Sequence, residues 1–198
     1  MSEAAGGDRP AALAARVGAA LERLGRARRI HRQGVATAHG LTPLQLDLLA
    51  TLADGPPPLP YVGELAAELG VAQPTVTDSL NALVRKGLVR RRRDDADARR
   101  SLLTLTRGGD RVVAEIRRVD ADVACAVEAL PAPVQAATLE ALLTVLAGLV
   151  DAGTVTVART CFTCRHHRQR GAAHRCALLD CALPSSELRV NCPEHEPV

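Results

Sequence analysis

Five of the six cysteines, Cys161, Cys164, Cys176, Cys181 and Cys192, crowd the last quarter of the 198-residue chain. Metal binding needs several soft ligands brought to one point. Cys161-x2-Cys164 supplies two from one tight turn, and Cys176 and Cys192 supply two more once the chain folds back. Four thiolates around Zn²⁺ would staple a tail that has few apolar side chains of its own. The single short knuckle and the closing Cys192-Pro193 also occur in some iron–sulfur ligation runs, so an iron–sulfur cluster is the alternative cofactor, with metal-free redox thiols third. Cys181, His166, His167, His174 and His195 are substitutes or supporting groups, and individually the histidines read as solvated surface groups. Cys125 stands apart among Val and Ala residues and reads as a buried, inert thiol rather than an oxidant sensor.

A second chemistry lies in the charge distribution. The formal net charge is only +3, yet Arg85 to Arg111 holds ten basic residues against four acidic ones. A basic stripe on a near-neutral body is the electrostatic footprint of a nucleic-acid binder. The competing reading is an ordinary solvated hairpin.

The elements that must position these groups follow from periodicity. With one Phe, one Tyr and no Trp, the core must be Leu, Val and Ala, which suits helices. Leu13, Val17, Leu21 and Leu24 recur at helical spacing, predicting a helix from Pro10 to about His39. Thr42-Pro43 restarts a helix that runs to Asp54-Gly55. Pro56 to Pro60 is a stiff connector. Helices at Val62 to Leu69 and Pro74 to about Lys86, separated by Gly70 to Gln73, have the spacing of a helix-turn-helix. In the second, Val76, Leu80, Leu83 and Val84 make the apolar face, leaving Thr75, Asp78, Asn81, Ala82 and Arg85 on or near the other, where base contacts originate, with Gln73 and Thr77 as further candidate DNA-binding residues.

Leu88 to Arg93 reads as a strand, Asp94 to Ala98 as a turn and Ser101 to Leu105 as the return strand. Helix plus hairpin is a winged helix over about residues 41–106, and Arg91, Arg92, Arg93 and Arg99 charge the wing for phosphate or minor-groove contact. Thr106 caps a helix to Leu130 with Val112, Val113, Ile116, Val119, Val123 and Val127 buried. Val134 to Val150 forms the last helix, with Leu139, Leu142, Leu143, Leu146 and Leu149. So much apolar surface exceeds what a monomer covers, and a dimerisation bundle that includes Leu142 and Leu146 is its simplest sink. The expected fold is therefore mostly α: a winged helix and helical dimerisation bundle over residues 10–150, and a Cys-rich metal-binding tail over 158–198.

The segments LTPLQLDLLATL, VGELAAELGVAQPTVTDSLNALVRKGLVRR and DARRSLLTLTRGG resemble the MarR regulators in order and spacing. In that family an Asp and an Arg two residues on, followed by L-x-L-T closing the second strand, brace the wing. The resemblance carries this to Asp97, Arg99, Leu105 and Thr106. Two positions depart from the pattern. Ala98 stands at the wing tip and Asp78 on the recognition helix, both often basic in the family, although an acid there can accept from cytosine N4.

The resemblance implies a regulator, a repressor by expectation, that binds double-stranded DNA as a homodimer on a pseudo-palindromic operator. Release would follow a small-molecule, metal or redox signal. The competing readings are a zinc-dependent enzyme with an open metal position and a protein-interaction adaptor working through the tail. Glu3, Asp8, Arg9, Arg16 and Glu22 interrupt the N-terminal segment, and no uncharged apolar run reaches about 18 residues. The expectation is a cytoplasmic protein with no membrane partner.

Overall fold

The computed structural model describes residues 8–54, 61–93 and 101–198. Helix α1 (Asp8–Ala38) leads to α2 (Pro43–Asp54), α3 (Val62–Leu69) and α4 (Gln73–Arg85). A two-stranded antiparallel sheet, β1 (Val89–Arg93) and β2 (Ser101–Leu105), pairs Val89 with Leu105 and Arg91 with Leu103. Then come α5 (Arg107–Glu128) and α6 (Ala132–Asp151). The Asp94 to Ala98 turn, with Asp97 and Arg99, lies outside the described residues, as does the Pro56 to Pro60 connector.

Local chemistry explains the helix ends. The Thr42 hydroxyl accepts from the Gln45 amide at 3.2 Å, while the Gln45 side chain accepts from the Thr42 amide at 3.3 Å, a reciprocal cap. The Glu64 carboxylate likewise accepts from the Tyr61 amide, starting α3. Gly70, at φ 61°, ends α3 in the left-handed conformation that the turn into α4 requires. Thr106 accepts from the Gly108 and Gly109 amides at the start of α5, and its hydroxyl donates to the Gly87 carbonyl at 2.6 Å. One threonine thus fixes both the wing and the helix behind it.

The main core gathers Leu46, Leu48 and Leu49 of α2, Leu65 of α3, Val76, Leu80 and Leu83 of α4, Leu103 of β2, and Val112 and Ile116 of α5. Removing such side chains from water supplies roughly 1.5–3 kcal/mol each before entropy is counted. The second half of α5 does not share this core. Val123 and Val127 are exposed, contrary to the sequence expectation, because the helix runs on past the winged helix. Val84 is also exposed, so the apolar face of α4 is narrower than its spacing suggested. Arg28 and Arg32 of α1 both bond Asp120 of α5, and Arg32 also bonds Asp47 of α2 at 3.0 Å. Burial pushes the Asp120 carboxyl up, but the two guanidiniums outweigh it and hold it at about 2.

The tail is more ordered than its sequence suggested. After a 3-10 turn at Cys161–Thr163 come β3 (His167–Arg170), β4 (Ala173–Cys176) and β5 (Cys181–Leu183), an antiparallel meander, and a second 3-10 turn at Ser185–Glu187. It packs on α6: Leu143 is buried against Cys161, Leu183 and Leu188, with Leu139 and Leu146 beside it. Leu146 is half-buried against this cluster, whereas Leu142, Val145 and Leu149 stay exposed. By length and a mean hydropathy of 1.6, α6 is also apolar enough to cross a membrane, which the sequence reading did not anticipate. Glu140 interrupts it and is engaged by the tail.

The corner between β2 and α5 admits no side chain at Gly109, where a Cβ would stand 2.2 Å from the Leu88 carbonyl oxygen. Gly109→Ala is expected to cost about 1–3 kcal/mol or more through overpacking. Gly108→Ala, whose nearest neighbours would be at 3.4 Å, is expected to be neutral or slightly stabilising. Urea denaturation of the two variants checks this, and equal midpoints would contradict it.

Candidate metal centre and nucleic-acid interface

The knuckle is built by backbone. Thr160 is buried, and Thr163 folds over it, its hydroxyl donating to the Ala158 carbonyl and accepting from the Thr160 amide. The Cys164 amide then donates to the Cys161 carbonyl at 3.1 Å, closing the turn that places both thiols on one side. The chain returns through Arg189, whose carbonyl accepts from the Cys161 amide and whose amide donates to Cys161 Sγ at 3.2 Å. The Cys192 amide donates to the Arg159 carbonyl at 2.9 Å, and the His195 amide to the Cys192 carbonyl, a second turn of the same span. Cys176 arrives at the end of β4.

Cys161, Cys164, Cys176 and Cys192 line one cavity of about 20 Å³, with His166 and His167 on its wall. Cys181, opposite Cys176 in the β4–β5 register, is not among the residues that line it. Among the described residues, no three His, Cys, Asp or Glu side chains stand close enough together to form a ready metal cage. The four thiols share walls of one small space without converging on its centre. Burial pushes the Cys161 thiol up, the Arg189 amide opposes this, and Cys192, Cys164 and Cys176 push it further in the same direction as burial. The Arg189 guanidinium faces Cys192 Sγ at 3.8 Å and Glu194 at 3.1 Å.

His174, one of the tail histidines, and Glu140, which the sequence reading did not single out, join this site to α6. His174 is fully buried, which corrects the reading of the histidines as solvated. Its Nδ1 meets His167 Nε2 at 3.1 Å, and the two rings stack beside Phe162. Its Nε2 stands 3.3 Å from Glu140 Oε1, within ion-pair distance yet not aligned as a hydrogen bond, and has no other partner among the described residues. Ser185 donates to the other Glu140 oxygen at 2.7 Å and holds that carboxyl below its usual range. The one acid in an otherwise uncharged stretch of α6 was a visible signal; its partner was not. Burial lowers His167 and His195, the latter bonded to Thr163. Cys125 is exposed on α5, against the expectation of a buried thiol.

Away from the thiol cavity, α4 presents Gln73, Thr75, Asp78 and Arg85 to solvent, with Thr77 and Asn81 half-buried. The Thr77 hydroxyl donates to the Gln73 carbonyl at 2.9 Å, so part of its capacity is spent within the helix. Arg90, Arg91 and Arg92 are exposed along β1, and Arg93 ends the strand. Helix α4 packs on β1 and runs out through Lys86, which donates to the Gly40 carbonyl, so the strand of arginines is fixed beside the exposed face of α4.

An exposed helix face following a tight turn, flanked by an arginine hairpin, is the arrangement of a winged helix. Residues 39–100 match the MarR family. Among solved structures the chain is similar to a MarR family transcription regulator, SP03579, at 22% identity and a TM-score of 0.60, covering 74% of this chain and 96% of that one. It is similar to a MarR transcriptional regulator from Methanosarcina mazei Go1 at 18% identity and TM-score 0.56, covering 69% and 97%. It is also similar to CouR from Rhodococcus jostii RHA1, bound to p-coumaroyl-CoA, at 23% identity and TM-score 0.53, covering 65% and 90%. At these identities the likeness is one of fold. Each of these neighbours is matched over nearly its whole length and leaves a quarter or more of this chain without a counterpart. No curated protein matches the chain.

The seat of the tail on α6 rests on Leu143, 1% exposed beneath Cys161, Leu183 and Leu188. Leu143→Ala is expected to weaken that seat by about 2–5 kcal/mol. Hydrogen exchange should quicken in residues 161–188 while the α2 to α4 amides keep their protection. Unchanged exchange in the tail would contradict that packing.

Proposed function

We propose that the chain is a DNA-binding transcriptional regulator, a repressor acting as a homodimer, whose tail holds one zinc ion. The observation that carries the DNA reading is the exposed face of α4 held beside the exposed arginines of β1. A recognition helix in the major groove would use Gln73, Thr75, Asn81 and Arg85, with Thr77 contributing what its internal bond leaves free. Arg91, Arg92 and Arg93, with Arg99 beyond the described strand end, would meet phosphates. Asp97 and Arg99 would brace the wing.

Exposed Leu13, Val17 and Leu24 on α1 and Leu142, Val145 and Leu149 on α6 support a second copy as the partner, giving the two-fold symmetry that a pseudo-palindromic operator requires. A small-molecule effector is a companion reading, supported by the ligand that CouR carries.

The metal reading is supported by four thiols on one cavity and by Arg189 donors aimed at two of them. Zn²⁺ would draw the four sulfurs inward and act structurally, with no open position for catalysis.

Replacing Arg91, Arg92 and Arg93 together with Ala is expected to weaken binding to all duplexes. The salt slope should flatten by about 0.9 for each phosphate no longer neutralised, measured by fluorescence anisotropy across a salt series. A slope identical to that of the unaltered protein would refute the wing's role.

For the metal, Ser in place of Cys161, Cys164, Cys176 or Cys192 is expected to release about one zinc per chain, since three thiolates remain of a four-ligand site. Cys181→Ser should retain it. Elemental analysis of anaerobically purified protein reads the result. Visible absorbance that these substitutions bleach would select the iron–sulfur cluster instead, and protein with no metal would refute both.

A further inference from the structure

The tail touches two parts of the molecule that a DNA-binding dimer must orient relative to each other. On one side it is latched to α6 through Leu143 and through the Glu140, His174 and Ser185 contacts. On the other, the strap between α6 and the knuckle reaches the helix-turn-helix. The Thr156 hydroxyl donates to the Ala67 carbonyl at 2.9 Å, in the last turn of α3. Arg159 stands 3.9 Å from Glu68 on the same turn, with its side chain 26% exposed. Asn191, next to Cys192, lines a 240 Å³ cavity together with Arg159, Glu68 and Leu69. The Arg159 carbonyl accepts the Cys192 amide. The chain between Thr156 and Cys192 is thus a clamp. Its thiol loop begins at Cys161, close behind the arginine that faces α3, and only the short turn Gly70 to Ala72 separates α3 from the recognition helix.

We infer that the zinc state of the thiol cluster sets DNA affinity through this strap, an inference that rests on the zinc reading above. The seat on α6 holds one side of the tail, and the thiol loop, which has few apolar side chains of its own, gains its order from the ligands it holds. With zinc bound, the strap is ordered and fixes α3 and α4 against the end of α6. With zinc removed, Thr156 and Arg159 no longer hold the last turn of α3, and the reading head is free to turn relative to the dimer helices. The winged helix keeps its own core throughout. Because a dimer must present two recognition helices about one DNA turn apart, a change in head orientation alters affinity without any change in the residues that touch DNA. The coupling is reciprocal, so DNA must change zinc affinity by the same factor.

The test uses the full chain and a duplex selected from a randomised library by the zinc-loaded protein. Dissociation constants are measured for zinc-loaded and chelator-treated protein, with zinc content determined on the same samples. The expected result is a difference of at least about fivefold. It should fall below about twofold in the Thr156→Val, Arg159→Ala double variant, which lacks the strap contacts but retains every cysteine and its zinc. Zinc-loaded and zinc-free protein binding DNA equally would overturn the coupling while leaving the metal reading intact. A full-sized difference that survives in the double variant would overturn the strap as its route and point to direct contact of the tail with DNA. Protein that binds no zinc in either form would take down the metal reading and the coupling with it. Hydrogen exchange gives a readout independent of DNA: zinc removal should raise exchange in the last turn of α3, and unchanged protection there would also overturn the clamp.

Discussion

Leu143 is the one residue of α6 buried within the chain, and the placement of the tail follows from it. An apolar helix cannot leave its whole circumference to water, so one stripe, Leu139, Leu143 and Leu146, packs with Cys161, Leu183 and Leu188 of the tail. Covering it brings Cys161 and Leu188 together, and with them the two ends of the thiol loop. The buried seat also takes in polar groups, which must then be matched: His174 lies over Glu140, and Ser185 completes that carboxylate. A tail too small to build a core of its own borrows one from the helix it follows.

Apolar and charged surface are unevenly shared along the chain. Leu142, Val145 and Leu149 on α6 are exposed, as are Leu13, Val17 and Leu24 on α1, and the far half of α5 adds Val123 and Val127. The winged helix, by contrast, closes its core fully and spends its exposed surface on charge. Its arginines stand on β1, where Val89 is buried, as is Leu103 of β2, the residue opposite Arg91. Packing and electrostatics are therefore assigned to different parts of one chain, with the ion pairs of Arg28 and Arg32 to Asp120 tying the long first helix to α5 between them.

Much of this was legible in the residues. Thr42 and Thr106 announced their helices because a cap is a local hydrogen bond between a side chain and an amide two or three residues on. The bounds of α3 and of β2 followed from turn residues and period. The meander was not legible: His167 to Leu183 alternates only weakly, and its strands are held by pairing with one another and by α6 rather than by propensity. Val123 and Val127 were misread because periodicity names the apolar face of a helix but not whether anything in the same chain reaches it.

The sequence by itself determined the local features: helix periods, caps, the arginine strand, and the spacing that lets Cys161 and Cys164 share a turn. Each depends on residues within a few positions of one another. Only the tertiary structure decided that Cys192 returns to Arg159, that Cys176 rather than Cys181 lines the thiol cavity, that His174 is buried over Glu140, and that Thr156 reaches α3. Those contacts join positions far apart in the chain, and they are set by which apolar stripe of α6 the tail covers, a choice made by packing in three dimensions.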